Sequence, residues 1–182
     1  MIDSTTSIPT WASRPGEDTA GPPTDGCSYV VVGVASGEDV ARQWATSLPE
    51  VTVVTTDDAP AAATALTATL ERARVGVRVA LAGPAGACLR LRAVALDAGA
   101  EDDEIHVHAT ETGTAEVYCA HCSTATATAV GVDGVVPCAG CGRDLVVYHH
   151  VSRRLGQYLG FQVDAETLPA GGAVLLPSRG AR

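Results

Sequence analysis

The chain has 182 residues, a net charge of -9 and 46% apolar content, much of it Ala and Val. That length fits one ordinary domain or two small ones, and the acidic balance argues against generic binding to nucleic acid or anionic membranes. All 12 basic residues are Arg, which excludes a P-loop lysine, a Schiff-base lysine and a Ser–Lys pair. No apolar run approaches the ~20 residues of a membrane span, and no basic stretch followed by an apolar block opens the chain. The expected location is therefore cytoplasmic, where cysteines serve metals more often than disulfides.

Residues 1–26 are rich in Thr, Ser, Pro, Gly and Asp, and their apolar residues follow no period. This composition predicts a disordered arm, with Trp11 as a plug for a pocket on the chain or on a partner. From Cys27 the texture changes. Tyr29–Ala35 (YVVVGVA) is a continuous apolar run of strand length, as a strand buried on both faces requires. Val40, Trp44 and Leu48 then fall at helical spacing, with Ser36 as the expected N-cap and Glu38 and Asp39 in the first turn.

Val51–Thr56 (VTVVTT) reads as a second strand, and after Asp57, Asp58 and Pro60 an Ala-rich helix runs to about Arg74. Val77–Gly83 is a third strand, and residues 85–100 a third helix with Cys88, Leu91, Val94 and Leu96 roughly on one side. Ile105–Thr110 (IHVHAT) alternates as a fourth, edge-like strand. Strand–helix alternation with short links predicts right-handed crossovers and a small doubly wound parallel sheet. The expectation is a four-stranded, Rossmann-like α/β domain over 27–112 in the order 2-1-3-4.

Such sheets bind ligands beyond the carboxyl ends of their strands, here the loops Ala35–Gly37, Thr56–Asp58 and Gly83–Ala87. The first, Gly33 to Gly37 (GVASG), lacks the G-x-G-x-x-G pattern that lets backbone approach a pyrophosphate. Asp57 stands where a ribose-binding acid would lie, or caps a strand end in solvent. Residues 28–110 resemble the nicotinamide-binding half of ferredoxin-reductase-like flavoproteins. In that family a strand ends in Cys-Gly-Pro, a helix comes next, and the chain closes on an Ile-His-x-Glu strand. Here Gly83–Pro84 and Ile105–His106 match, Ala82 replaces the Cys and His108 the Glu. No flavin-holding barrel precedes the segment, so the resemblance implies a reductase fold that has lost hydride chemistry.

Cys119 to Cys141 reads CAHC, fifteen residues, CAGC. Two residues between thiols let both sulfurs meet one tetrahedral ion, and fifteen suffice for a hairpin that returns the second pair to the first. The spacing predicts a structural zinc on Cys119, Cys122, Cys138 and Cys141. Rubredoxin-like iron, two disulfides, or free thiols are the alternatives. Iron sites of that kind sit among aromatics, and only Tyr118 and Tyr148 lie near in sequence. His121, inside the first knuckle, is expected beside a thiolate or in solvent. Three short strands, EVYC, STATATAVGV and RDLVVYHHVS, predict a three-stranded antiparallel zinc ribbon over 113–168. Thr124, Thr126 and Thr128 share one face of it. So small a module needs the ion to fold. His149 and His150 point to opposite faces of the last strand, which argues against a joint site with His106 and His108.

The second knuckle and the stretch after it, VPCAGCGRDLVVYHHVSRRLGQYLGFQVDAE, resemble the C-terminal domain of one family of dimethylamine monooxygenase subunits. The matching residues are Cys138, Cys141, His150, Ser152, Arg153, Arg154, Tyr158, Gly160 and Asp164–Glu166, within about residues 116–167. The resemblance implies a small component of a multisubunit, reduced-nicotinamide-dependent amine N-demethylating oxygenase. In such a system a larger subunit carries the haem and the oxygen chemistry, and a flavin and iron–sulfur reductase supplies electrons. It gives this chain no catalytic residue. The expected role is thus a non-catalytic accessory subunit whose partners are the oxygenase and reductase subunits. An iron electron carrier or a nucleotide-binding oxidoreductase component is the alternative. Arg153, Arg154, Tyr158 and Phe161 have the composition of an interface core and are the expected partner surface. Residues 169–182, rich in Gly, Ala and Pro, are expected to form a flexible tail.

Overall fold

A computed structural model of the chain describes residues 7–17 and 20–165, so the expected tail lies outside the described residues. The first sheet contains β1 (Ser28–Val34), β2 (Val51–Thr56), β3 (Val77–Gly83) and β4 (Ile105–Ala109). All pairs are parallel and the order is β2-β1-β3-β4, as the alternation of strands and helices predicts. The central strands are apolar on both faces because helices cover both. Val30, Val32, Val79 and Leu81 pack against α3 (Ala59–Leu70) and α4 (Ala85–Asp97). Tyr29, Val31, Ala80 and Ala82 pack against Ala41 and Trp44 of α2 (Glu38–Ala45). Cys88 lies fully buried on α4 among that first set, as its place in an apolar helical pattern predicts.

Two local expectations change. Ser36 does not cap α2, because a 3-10 turn over Ala35–Gly37 intervenes and puts Gly37 at the cap position. Its hydroxyl instead meets Thr110 Oγ1 at 2.7 Å and Glu111 Oε1 at 2.8 Å. The working cap is Asp58, whose carboxylate accepts from Ala61 N–H at 3.0 Å at the start of α3. That helix ends at Leu70, short of Arg74.

The segment expected as a disordered arm is in part packed. Thr10–Ser13 form a short helix, α1. Ala12 is buried with Ala85, Leu89, Ala109 and Val151, while Ile8 and Trp11 lean on the same cluster. Gly16 N–H donates to Ala109 carbonyl at 2.7 Å. Aperiodic apolar residues carry no helix or strand signal, yet they fill a corner where two larger units meet. Trp11 therefore packs against its own chain, half-buried beside both clusters.

The second sheet differs from the expected ribbon. It has five strands: β5 (Ala115–Cys119), β6 (Ala125–Thr128), β7 (Val135–Pro137), β8 (Asp144–Ser152) and β9 (Gln157–Gln162). Their order is β6-β5-β9-β8-β7. β5 and β9 are parallel and the other pairs antiparallel, so the sheet is mixed. The three expected strands are present as β5, β6 and β8. β7 has only three residues, too few for a periodic signal, and β9 lies in the stretch read as an interface tail. A turn at Arg153–Gly156 sends β9 back between β5 and β8.

The two sheets meet along α4. A Cβ on Gly86 would stand 2.0 Å from Thr114 carbonyl oxygen, and one on Gly156, at φ 66°, 2.4 Å from that of Leu89. Only glycine admits such backbone contact. Arg90 on α4 reaches Glu116 at 3.2 Å, which also accepts from Gln157 Nε2 at 2.7 Å. Arg153 pairs with Asp102.

Candidate metal centre

The two Cys-x2-Cys turns close in the same way. Ser123 N–H donates to Cys119 carbonyl at 2.9 Å, and Gly142 N–H to Cys138 carbonyl at 2.9 Å. Ser123 and Gly142 take left-handed φ values of 62° and 71°. Each turn thus folds back four residues after its first cysteine. Cys119 sits at the end of β5, with its N–H bonded to Thr124 carbonyl at 3.0 Å, and Cys138 N–H bonds to Arg143 carbonyl at 2.8 Å. Thr126, 7% exposed, points inward from β6, and its hydroxyl accepts from Ala139 N–H at 3.1 Å. That bond joins the first hairpin to the second knuckle.

These turns bring four sulfurs within 4.8 Å of one another. Cys119 and Cys141 are 3.8 Å apart, Cys122 and Cys138 3.5 Å. Four sulfurs about 2.3 Å from a shared tetrahedral centre stand ~3.8 Å apart, whereas a disulfide needs about 2.05 Å. The spacing fits a metal ion. It is the one such group of His, Cys, Asp or Glu among the described residues. Cys119 and Cys138 are buried, Cys122 and Cys141 half-buried.

Backbone donors already favour charge at part of the cluster. The Cys141 N–H, helped by that of Gly140 and opposed by burial, holds the Cys138 thiol down at about 6. Thr124 lowers Cys122 through its hydroxyl and then its N–H. Burial dominates at Cys119 and lifts it to about 11, against the N–H groups of Cys122 and His121. A bound cation would overcome that last resistance, since a metal deprotonates a ligating thiol outright. Four protein sulfurs fill a tetrahedral ion's positions and leave none open for a substrate.

The other candidate residues separate. His121 is exposed and outside the sulfur cluster. His149 meets Asp133 at 2.8 Å, His150 meets Ser7 at 2.9 Å, and His106 meets Ala20 carbonyl at 3.1 Å. The rings of His106 and His108 stand edge-on to Trp44 at 5.3 and 6.1 Å.

The four residues expected as a partner surface do not form one patch. Arg153 and Arg154 are exposed in the turn between β8 and β9. Tyr158 points inward and packs against both the second-sheet core and the seam with α4, and burial raises its phenol above the usual range. Phe161, three residues on, faces the other way and meets Tyr148 edge-on at 5.0 Å, as alternation along a strand requires. Glu116 and Asp102, which tie the sheets together, carry no local sequence signal because their partners are distant in the chain.

Residues 116–161 match the family model described as "Dimethylamine monooxygenase subunit DmmA-like, C-terminal domain". The segment runs from β5 into β9 and takes in all four cysteines, within the stretch 116–167 that carries the resemblance. The heme-dependent oxidative N-demethylase delta subunit of Ectopseudomonas mendocina (strain ymp) is 35% identical over 102 residues. The match covers 56% of this chain and 57% of that relative, so the chain spans a little over half of the relative's length. Neither comparison names a ferredoxin reductase. No solved structure matches the chain.

Proposed function

We propose that this chain, whose C-terminal sheet belongs to the DmmA-like family, is a zinc-binding, non-catalytic accessory subunit of a cytoplasmic amine N-demethylating oxygenase. The observation that carries the reading is a closed four-sulfur site inside the segment that matches that family. Cys119, Cys122, Cys138 and Cys141 would hold the ion, which would supply folding energy and fix β5 and β8. Zinc suits the donor set, and the buried residues packed around the cysteines, Val117, Val136, Leu145 and Val147, are aliphatic, unlike the aromatic setting of rubredoxin-like iron. The partners would be the larger oxygenase and reductase subunits. Of the expected partner residues, Arg153, Arg154 and Phe161 would face them, while Tyr158 holds the fold from inside.

Metal analysis with a visible spectrum tests the metal, because zinc–thiolate is colourless and ferric thiolate is not. One zinc per chain is expected, and stoichiometric iron with visible absorbance would replace this reading with an electron carrier. Reconstitution tests the role. Demethylation by the larger subunits should rise when this chain is added, and the chain alone should not oxidise reduced nicotinamide.

A further inference from the structure

The two edges of the first sheet are treated differently. Along β4 the N-terminal segment lies close, with Gly16 N–H on Ala109 carbonyl at 2.7 Å and Ala20 carbonyl on His106 Nε2 at 3.1 Å. β2 pairs with β1 alone among the described residues. Its register runs unbroken through six pairs, from Tyr29↔Val51 to Val34↔Thr56, with no bulge. The strand is Val-Thr-Val-Val-Thr-Thr, without charge, Gly or Pro. Thr52 is exposed and Val53 is 42% exposed. Edges are ordinarily guarded by charge, proline, a bulge or a cover; β2 has no charge, proline or bulge within its length, and no strand among the described residues covers its outer edge.

Its ends are acidic instead. Glu50 precedes it, Asp57 and Asp58 come after it, and all three are exposed. Antiparallel pairing of two copies about the strand's middle sets Val53 against Val54 and brings Glu50, just outside the strand at a left-handed φ of 42°, to the same end as Asp57 of the other copy. Like charges gathered at both ends penalise that dimer. The same two acids attract a strand with a basic residue at each end.

We propose that β2 is a docking edge for strand addition by an extended, β-branched segment of a partner protein carrying Arg or Lys at both ends. Main-chain hydrogen bonds would supply the contact and the two flanking charges the selectivity. About six extended residues, roughly 20 Å, separate the basic positions. The proposal does not depend on the demethylase reading, and its test uses the isolated chain, so failure here leaves that reading untouched.

The probe is a blocked synthetic peptide, Arg-Thr-Val-Thr-Val-Thr-Val-Arg, beside a twin with Glu at both ends. Binding is followed by fluorescence anisotropy and the contact by hydrogen exchange on the full chain. The expected result is protection of amides in Val51–Thr56 by the basic peptide and at least about tenfold weaker binding of the acidic twin. Glu50→Lys with Asp57→Lys, both at exposed positions, should reverse that ranking while circular dichroism stays unchanged. Absence of binding up to about 1 mM peptide, equal binding of the twins, protection elsewhere, or self-association of the chain through the same amides would each overturn it.

Discussion

If the four sulfurs hold the proposed ion, replacing Cys138 with Ser removes one of its ligands and should unfold the second sheet while leaving the first standing. A structural zinc contributes about 10–16 kcal/mol in small domains, comparable with the whole stability of a typical domain at about 5–15 kcal/mol. The second sheet has little with which to replace it. Its own cluster holds six buried residues, two of them Cys119 and Cys138, against 13 and six in the two clusters of the first sheet. The seam sets how far the damage spreads. Leu89, now 2% exposed, and Ala85 on α4 would lose Val151 and Tyr158 as cover. Exposing a leucine costs about 1.5–3 kcal/mol, so the first sheet should survive with a lower melting temperature. Hydrogen exchange by mass spectrometry resolves the two regions. The expected pattern is protection lost across Ala115–Gln162 and kept in β1, β3 and α4. Equal loss everywhere would show that α4 binds both sheets into one cooperative unit and that the first sheet's core is not self-sufficient.

Tyr158→Ala, at a half-buried position packed on two clusters, should destabilise the free chain by about 2–3 kcal/mol, whereas Phe161→Ala, which loses one edge-on contact, should cost only about 0.5–1.5 kcal/mol; denaturant melts of both distinguish the inward from the outward residue. Arg154→Ala should leave the melting temperature unchanged and weaken association with the larger subunits in a pull-down with purified components, and a lowered melting temperature with intact association would remove it from the interface. Burial pushes the Cys88 thiol up from 9.0 to about 12. Its folded value is raised, so its contribution is complete below pH 9 and is lost as pH rises toward 12. Melts across that window should therefore show an alkaline decline that Cys88→Ala flattens.

The first sheet was legible because its apolar runs are bounded by turn residues and alternate with helical stretches on short links, which requires parallel strands joined by right-handed crossovers. The sulfur site was legible for a similar reason: all four ligands lie within one short stretch at spacings that geometry restricts. β9 was not. Gln157–Gln162 has the composition of an interface, and its role depends on Gly156 resting against Leu89, a contact that no local pattern encodes. The same holds for Trp11, which belongs to no element with a period yet packs where α4, β4 and β8 converge. Residues expected on one surface were grouped by proximity in sequence, and the strand then divided Tyr158 from Phe161 by its own alternation.

The position of β9 bears on how the second sheet would assemble. β5 with β6 and β7 with β8 are two local hairpins, and β9 is the strand that lies between them. Glu116 and Gln157, bonded across this junction, are 41 residues apart in sequence. Loop closure makes that pairing slow compared with either hairpin. Without β9 the hairpins share no ladder, and what links them is the Ala139–Thr126 hydrogen bond and the cysteine cluster, with Cys119 and Cys122 from one and Cys138 and Cys141 from the other. An ion captured at that stage would staple two preformed pieces and shape the slot that the last strand enters. Metal availability would then act on the rate of folding as well as on the stability of the product.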